Sequence, residues 1–478
     1  MTGRWQQSLL PSLAAALVAG CAAHPLPPPA PDLPLAFDNE GAARGAQWPL
    51  QQWYRDFASE QLNSLVDLAA SNNGDLAAAR ARVVQADARA TQAGAVLLPS
   101  VDATGTANYL AGHSAVGGGH ELDWSAMLTA SYEMDFWGKN RAAAASTRYL
   151  TRASRADRDT VALTTLAGVA QGYFQVLALH ERGRLAVSNR DTARQLLSVV
   201  QSRFDAGVAG PIEVATQASA LDAAQIAIAD LEQTETQART ALALMLGRFP
   251  EKFAVAYEPL DSLKEPSVGA GLPSQLLTRR PDVAAAEENL RAGHADLLVA
   301  RAAMFPSLSL TAGAGVQNPA LPATVLTIPG VGPSFALGGN LIQPIFDHGR
   351  LRAQRDEVQA REVELVSVYR TVIIAALVDV ENALAAITLL DRAREFENGN
   401  VAQSERAFTG AKLRYEAGSG EFLTLLEAQR TLYGARDQFI QYKLARLVAR
   451  VGLCKALGGG WTQPPTHDLA INSGANPR

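Results

Sequence analysis

The sequence predicts a mainly α protein, internally duplicated, that carries four β-strands of membrane-crossing length. Three observations predict it. Proline is absent from two long runs, residues 100–210 and 345–463, which leaves room for very long helices. Four segments alternate apolar and polar side chains with period two, each about ten residues long, the length a tilted strand needs to cross a bilayer. Short motifs also recur in one order at offsets of 207 and 211 residues.

Composition narrows the class. The chain has 478 residues, 42 Lys and Arg against 47 Asp and Glu, and a net charge of −5. Arg4 is the sole charge within residues 1–20, so their removal leaves −5 − 1 = −6. That balance argues against a nucleic-acid partner, which calls for a basic excess. Charged residues are 19% and aromatics 6%, and an alanine-rich composition of this kind suits long helices packed through small side chains. Cys21 and Cys454 are the two cysteines, too few for a disulfide framework. The longest uncharged apolar stretch, Leu9 to Ala23, is short and interrupted, so a membrane crossing would fall to the strands.

Residues 1–20 read as a signal peptide, with Arg4, an apolar run from Leu9 to Ala19, and then Val18-Ala19-Gly20-Cys21. That order resembles the bacterial lipoprotein box, in which Cys21 becomes the lipid-bearing (palmitate-type) amino terminus; a plain signal peptide with an incidental cysteine is the alternative. Pro25, Pro27, Pro28, Pro29, Pro31 and Pro34 follow at once and favour an extended, semi-rigid spacer that holds a folded body off a lipid surface. Residues 21–58 thus make an anchor, a spacer and an N-terminal segment.

The first strand pair spans Val101 to Tyr109 and Ser125 to Met134, and the second spans Ser307 to Val316 and Ser334 to Gln343. A two-sided soluble sheet would show the same alternation. Four strands cannot close a barrel, and open edges are not tolerated in lipid, so a membrane version needs several chains to pool their strands. Within the second proline-free run, Val366, Tyr369, Ile373, Ala376, Val380, Ala383, Ile387 and Leu390 step by three and four, a coiled-coil-like seam. A helix from Gly349 to Glu416 would be roughly 100 Å long.

The duplication rests on Leu98-Pro99-Ser100 against Phe305-Pro306-Ser307, on Arg203-Phe204-Asp205-Ala206-Gly207 against Arg414-Tyr415-Glu416-Ala417-Gly418, and on Leu246-Gly247 against Leu457-Gly458. Residues 59–248 and 272–458 each read as helix, strand pair, long helix, turn and helix, joined by a linker at 249–271 and followed by a tail at 459–478. Gly207 and Gly418 are left-handed helix ends, and chain reversal at both predicts that they lie together.

Several longer motifs add up to a specific pattern: Tyr132-Glu133-Met134-Asp135-Phe136-Trp137-Gly138, Leu276-Leu277-Thr278-Arg279-Arg280-Pro281-Asp282, Pro344-Ile345-Phe346-Asp347-His348-Gly349, and Arg414 to Gly418 leading to Leu425-Leu426-Glu427-Ala428-Gln429-Arg430. In these the chain resembles the TolC-type outer-membrane efflux channels, in particular the lipoprotein branch that serves resistance-nodulation-division pumps. The resemblance implies a homotrimer, a twelve-stranded β-barrel in the outer membrane of a Gram-negative bacterium, and a twelve-helix α-barrel through the periplasm. It implies an equatorial belt near 40–58, 249–271 and 459–478, a periplasmic adaptor partner, and an inner-membrane transporter that supplies the exported compound. It also implies that Gly207 and Gly418 are the aperture turns.

Leu423, Glu427 and Arg430 share one helix face beyond Gly418, by their spacing of four and three. Spacing alone makes Glu427 and Arg430 a surface ion pair. The resemblance makes the three residues the periplasmic gate, with Glu427 where the family pattern leads one to expect Asp. Their first-half counterparts, Ile212, Thr216 and Ser219, carry no charge.

No HExxH, GxxxxGK, GxSxG or paired CxxC occurs, so neither an enzyme nor a cofactor is expected. Asp347-His348 reads as a turn rather than a ligand pair, Gly117-Gly118-Gly119 as a hairpin tip rather than a phosphate loop, and Cys454 as a packed thiol. The rival reading is a periplasmic coiled-coil adaptor or scaffold lipoprotein, which would have no use for four membrane-length strands.

Overall fold

The computed structural model describes residues 33–38, 48–114, 117–318 and 332–462. The signal segment, Cys21 and residues 463–478 lie outside the described residues. In chain order the elements are α1 (Glu60–Asn72), α2 (Gly74–Ala95), β1 (Ser100–Ser114), β2 (Gly117–Met134), α3 (Lys139–Asp205), α4 (Pro211–Met245), α5 (Pro281–Ala302), β3 (Ser307–Asn318), β4 (Gly332–Ile342), α6 (Arg350–Glu416) and α7 (Phe422–Ala456). Short 3₁₀ turns at Trp53–Phe57, Pro250–Lys252 and Leu260–Ser262 punctuate the connections.

The duplication holds closely in three pairs of helices. Helices α2 and α5 have 22 residues each, α3 and α6 have 67, and α4 and α7 have 35. Their starts differ by 281 − 74 = 207, 350 − 139 = 211 and 422 − 211 = 211. Because β1 and β3 also start 307 − 100 = 207 apart, the four-residue change falls between the first residue of the strand pair and the start of the long helix. Both long helices are also apolar enough over one stretch to cross a bilayer. Within these helices α3 buries Tyr173, Phe174 and Leu177, and α6 buries Ile373, Val380 and Ile387 of the predicted seam.

The chain divides into two compact units. One comprises Arg82–Arg155 and Ala285–Arg370 and contains all four strands. They form a single antiparallel sheet in the order β1-β2-β3-β4, with each predicted strand present and β1 and β2 extended toward their hairpin. Gly117 opens β2 opposite Ser114, as a hairpin end requires.

Register sorts the side chains onto two faces. Ala103, Leu128, Ala314 and Phe335 form one row across all four strands, and Val101, Ala130, Ala312 and Leu337 form the next. Over its described side chains this face is largely apolar, with Leu128 58% and Leu337 88% exposed in the single chain. The other face carries hydroxyls that bond across strands, Ser100 Oγ to Ser131 Oγ and Thr106 Oγ1 to Ser125 Oγ, both at 2.8 Å. A bilayer would meet the apolar face.

Both long helices start on a carboxylate. Asp135 accepts from the backbone N–H groups of Asn140 and Arg141 at 3.1 and 2.9 Å, and Asp347 from those of Gly349 and Leu351 at 3.0 Å each. The amide of Leu351 leads the backbone bonds that hold the Asp347 carboxyl below its usual range. The Asp347-His348 pair is therefore a helix-capping turn, with the His348 ring tilted against Phe346 at 4.4 Å. Trp137 stacks on Phe305 at 4.7 Å and donates its Nε1–H to the Pro306 carbonyl at 2.8 Å.

The second unit holds Ala156–Ala284 with the described parts of Asp32–Ala81 and Thr371–Arg478. Its core gathers Trp53, Phe57 and Leu62 with Tyr173 and Phe174 of α3 and with Leu246, Val451 and Leu457 near the ends of α4 and α7. Cys454 is fully buried there, and burial pushes its thiol up to about 12, which makes it an inert packed group.

The same junction recurs in both repeats of this unit. Gly247 and Gly458 have φ of 63° and 84°, and a Cβ on either would lie 2.4 Å from the Asn72 carbonyl oxygen or 1.9 Å from that of Arg279. Only glycine fits both the backbone and the gap. One residue on, Asn73 Nδ2 donates to the Met245 carbonyl at 2.8 Å, and Arg280 Nη1 donates to the Ala456 carbonyl at 2.9 Å. Arg280 is buried and also binds Asp282 at 2.6 Å and Asp379 at 3.1 Å, while Arg279 lies 4.5 Å over the Trp48 ring. Arg279-Arg280 is thus a structural clamp rather than an anion site.

The sheet register generates a test. Arg at Leu310 should cost about 2 to 4 kcal/mol of membrane assembly, whereas Arg at Thr311, on the hydroxyl face, should be tolerated. Yields of folded protein in outer-membrane fractions read the difference, and equal yields would contradict the assignment of faces.

Candidate gate at the paired helix turns

Helices α3 and α6 end in the same way. Gly207 and Gly418 take φ of 75° and 78°. Val208 N–H donates to the Arg203 carbonyl and Gly207 N–H to that of Phe204, at 2.9 and 2.8 Å. Ser419 and Gly418 repeat the pattern on Arg414 and Tyr415 at 2.9 and 3.0 Å. These are Schellman ends, which satisfy the last carbonyls of each helix and reverse the chain within a few residues. Pro211 then opens α4 at its first turn, where the missing N–H costs nothing.

The two turns lie together, as predicted. Tyr415 is 2% exposed and packs with Leu196, Val200 and Leu425, with Val214, Phe408 and Phe422 around them. Arg203 reaches from the first turn to the second, where its guanidinium lies 4.4 Å over the Tyr415 ring and donates to the Tyr415 carbonyl. The Tyr415 hydroxyl donates in return to Glu213 Oε2 of α4 at 2.7 Å. Burial first, and then the bond to Glu213, push that hydroxyl up to about 12, so it stays protonated and donating at any physiological pH.

This latch is absent from the sequence-based site, although a signal for it exists. At the offset of 211, Tyr415 answers to Phe204 and Glu213 to Thr424, so the hydroxyl and its acceptor each appear in only one repeat. Arg414, the counterpart of Arg203, is exposed. The latch is a place where the duplication is broken.

Leu423, Glu427 and Arg430 stand on the outer face of α7, all exposed, with Leu423 at 64%, while Leu425, Leu426 and Gln429 on the opposite face are buried. The spacing argument for one shared face holds. The surface ion pair it also allowed does not form: among the described residues neither Glu427 nor Arg430 has an ion-pair or hydrogen-bond partner. Of the first-half counterparts, Ile212 is 80% exposed, Ser219 is exposed, and Thr216 donates to the Ile212 carbonyl at 2.7 Å. Cys21 lies outside the described residues.

Among the described residues no group of three His, Cys, Asp or Glu side chains could hold a metal ion. What the turns offer is a mechanical element, two helix ends tied by one arginine and one tyrosine, beside a face of free charges.

Comparisons with known proteins point the same way. The sequence profile of the outer membrane efflux protein family matches residues 65–248 and 272–459. The pyoverdine export outer membrane protein OpmQ of Pseudomonas aeruginosa is 43% identical over 458 residues, covering 93% of this chain and 95% of that protein. The solved outer-membrane channel OprN superimposes with a TM-score of 0.83 at 26% identity, over 91% of this chain and 98% of its own. Solved CusC, from work on its folding and transmembrane channel formation, gives 0.82 at 26% identity over 92% and 100%.

Proposed function

The chain belongs to the outer membrane efflux protein family and is an outer-membrane efflux channel, and from that premise we propose that three copies build one duct. Each copy gives four strands to a twelve-stranded barrel, which continues as a twelve-helix tunnel on the periplasmic side. The observation that supports this reading is the sheet, largely apolar over the described side chains of one face and open at the edges of β1 and β4. An adaptor or scaffold lipoprotein would have no use for it. The family is one of transport channels, not enzymes. Segments 40–58, 249–271 and 459–478 act as the equatorial belt around the repeats 59–248 and 272–458. The partners are a periplasmic adaptor and an inner-membrane transporter, of the resistance-nodulation-division class on the sequence resemblance, together with outer-membrane lipid; nucleic acid is not among them.

In this reading the paired turns are the periplasmic aperture. Leu423, Glu427 and Arg430 of three copies converge on the axis, where like charges repel unless each Glu427 meets an Arg430 of a neighbouring helix. Their lack of partners within one chain supports that use. The Arg203-Tyr415-Glu213 latch holds the two turns of each copy together, so it favours the closed state. Losing the Tyr415 hydroxyl bond, worth about 0.5 to 1.5 kcal/mol, shifts the closed-to-open balance roughly two- to tenfold per copy.

Two tests follow from this site. In planar bilayers, Glu427→Ala combined with Arg430→Ala, and separately Tyr415→Phe, should raise single-channel conductance or open time, whereas Thr216→Ala should change neither. A well-folded double variant with wild-type conductance would refute the gate. At the amino terminus, Cys21 should carry the lipid anchor, palmitate included, next to the proline spacer. Mass spectrometry of the mature protein reads this directly, and an unmodified Cys21 or cleavage elsewhere would remove the anchor from the account.

A further inference from the structure

Among the described side chains of the hydroxyl face, one charge is unneutralised. Along β1 it presents Ser100, Asp102, Thr104, Thr106 and Asn108, and their partners on β2 are Ser131, Thr129, Met127, Ser125 and Asp123. On β3 and β4 the same face continues as Ser309 and Thr311, paired with Asn340 and Gly338. Among the described side chains of this face, acids stand only at Asp102 and Glu133. Glu133 is tied to Lys139 at 2.6 Å and carries no net field. Asp102 is exposed and accepts a 3.4 Å hydrogen bond from the Ser100 hydroxyl. Its row across the sheet, Thr129, Gly313 and Ala336, contains no cation.

We propose that Asp102 sets the charge selectivity of the duct, three copies forming an acidic ring in the barrel lumen that favours cationic and uncharged polar cargo over anions. The inference rests on the trimeric duct proposed above. Twelve strands about 4.8 Å apart and tilted about 40° give a backbone diameter of roughly 24 Å. Side chains reaching inward then place the carboxylates about 8 Å from the axis and about 14 Å from one another. A separation of about 14 Å is too great to chelate a single ion, but the axis, about 8 Å away, lies within the Debye length of about 10 Å at 0.1 M salt. Three such charges enrich a monovalent cation at the axis roughly threefold at 0.1 M. At 1 M, where the Debye length is about 3 Å, the field does not reach the axis.

Reversal potentials under a salt gradient test the ring, with purified protein in neutral planar bilayers and potassium chloride as the probe. Wild type should favour potassium at about 0.1 M and lose most of that preference near 1 M. Asp102→Asn should lower the permeability ratio about threefold or more at 0.1 M. Thr104→Asp, two residues along on the same face, should raise it, and this variant carries the test should Asp102→Asn fail to assemble. Wild-type reversal potentials in either variant at low salt would overturn the selectivity role while leaving the duct intact. Absence of any conductance from the wild type would instead refute the duct, and the ring with it.

Discussion

Backbone groups left unpaired at the two edges of the sheet constrain the rest of the molecule. Over its described side chains, Val101 and Leu341 among them, one face of the four strands is largely apolar, a surface that suits acyl chains and not water. Yet β1 and β4 each end the sheet with a row of N–H and C=O groups that have no strand beside them in the chain. In hydrocarbon every such group costs several kcal/mol, and no loop can shield it there. Closure by further copies of the same sheet removes every edge at once, because the β4 edge of one copy meets the β1 edge of the next. In the proposed duct, trimerisation, a lumen lined by the hydroxyl face and a symmetric aperture all follow from that requirement.

Duplication explains how one short sheet is joined to so much helix. Each repeat supplies a hairpin, 67 residues of helix that at about 1.5 Å per residue run roughly 100 Å, and a return helix of 35. The return is closed by the same device twice, a glycine whose missing Cβ lets the chain pass against a backbone carbonyl, at Gly247 and Gly458. Different side chains then tie that junction, an asparagine in the first repeat and a buried arginine with two aspartates in the second. The repeats share their backbone geometry and differ in polar chemistry. At the helix turns the same divergence recurs, since the latch takes its arginine and its carboxylate from the first repeat and its tyrosine from the second.

Much of this was legible in the chain before its structure. Period-two alternation identifies all four strands, because one face must be apolar and the other need not be. Alternation fades toward Gly112 and Gly117, and there the strands run on past their predicted ends, held by cross-strand pairing alone. Gly207 and Gly418 announce the turns, because a left-handed helix end leaves few other choices of residue. Long-range polar contacts are harder to read. Arg280 meets partners 99 and 176 residues away, Arg203 one 212 residues away, and no local pattern encodes such a contact. The face carrying Leu423, Glu427 and Arg430 was predictable from helical spacing, whereas its freedom from partners within the chain was not.

The central claim is that the sheet is one third of a closed barrel. Native mass spectrometry of the full chain extracted from outer membranes in mild detergent tests it most directly. The account requires three chains per particle, resistant to SDS in the cold and separated by heat, as a continuous ring of strand pairing would be. A folded, membrane-extracted particle of one or two chains would leave open edges in lipid and would contradict it.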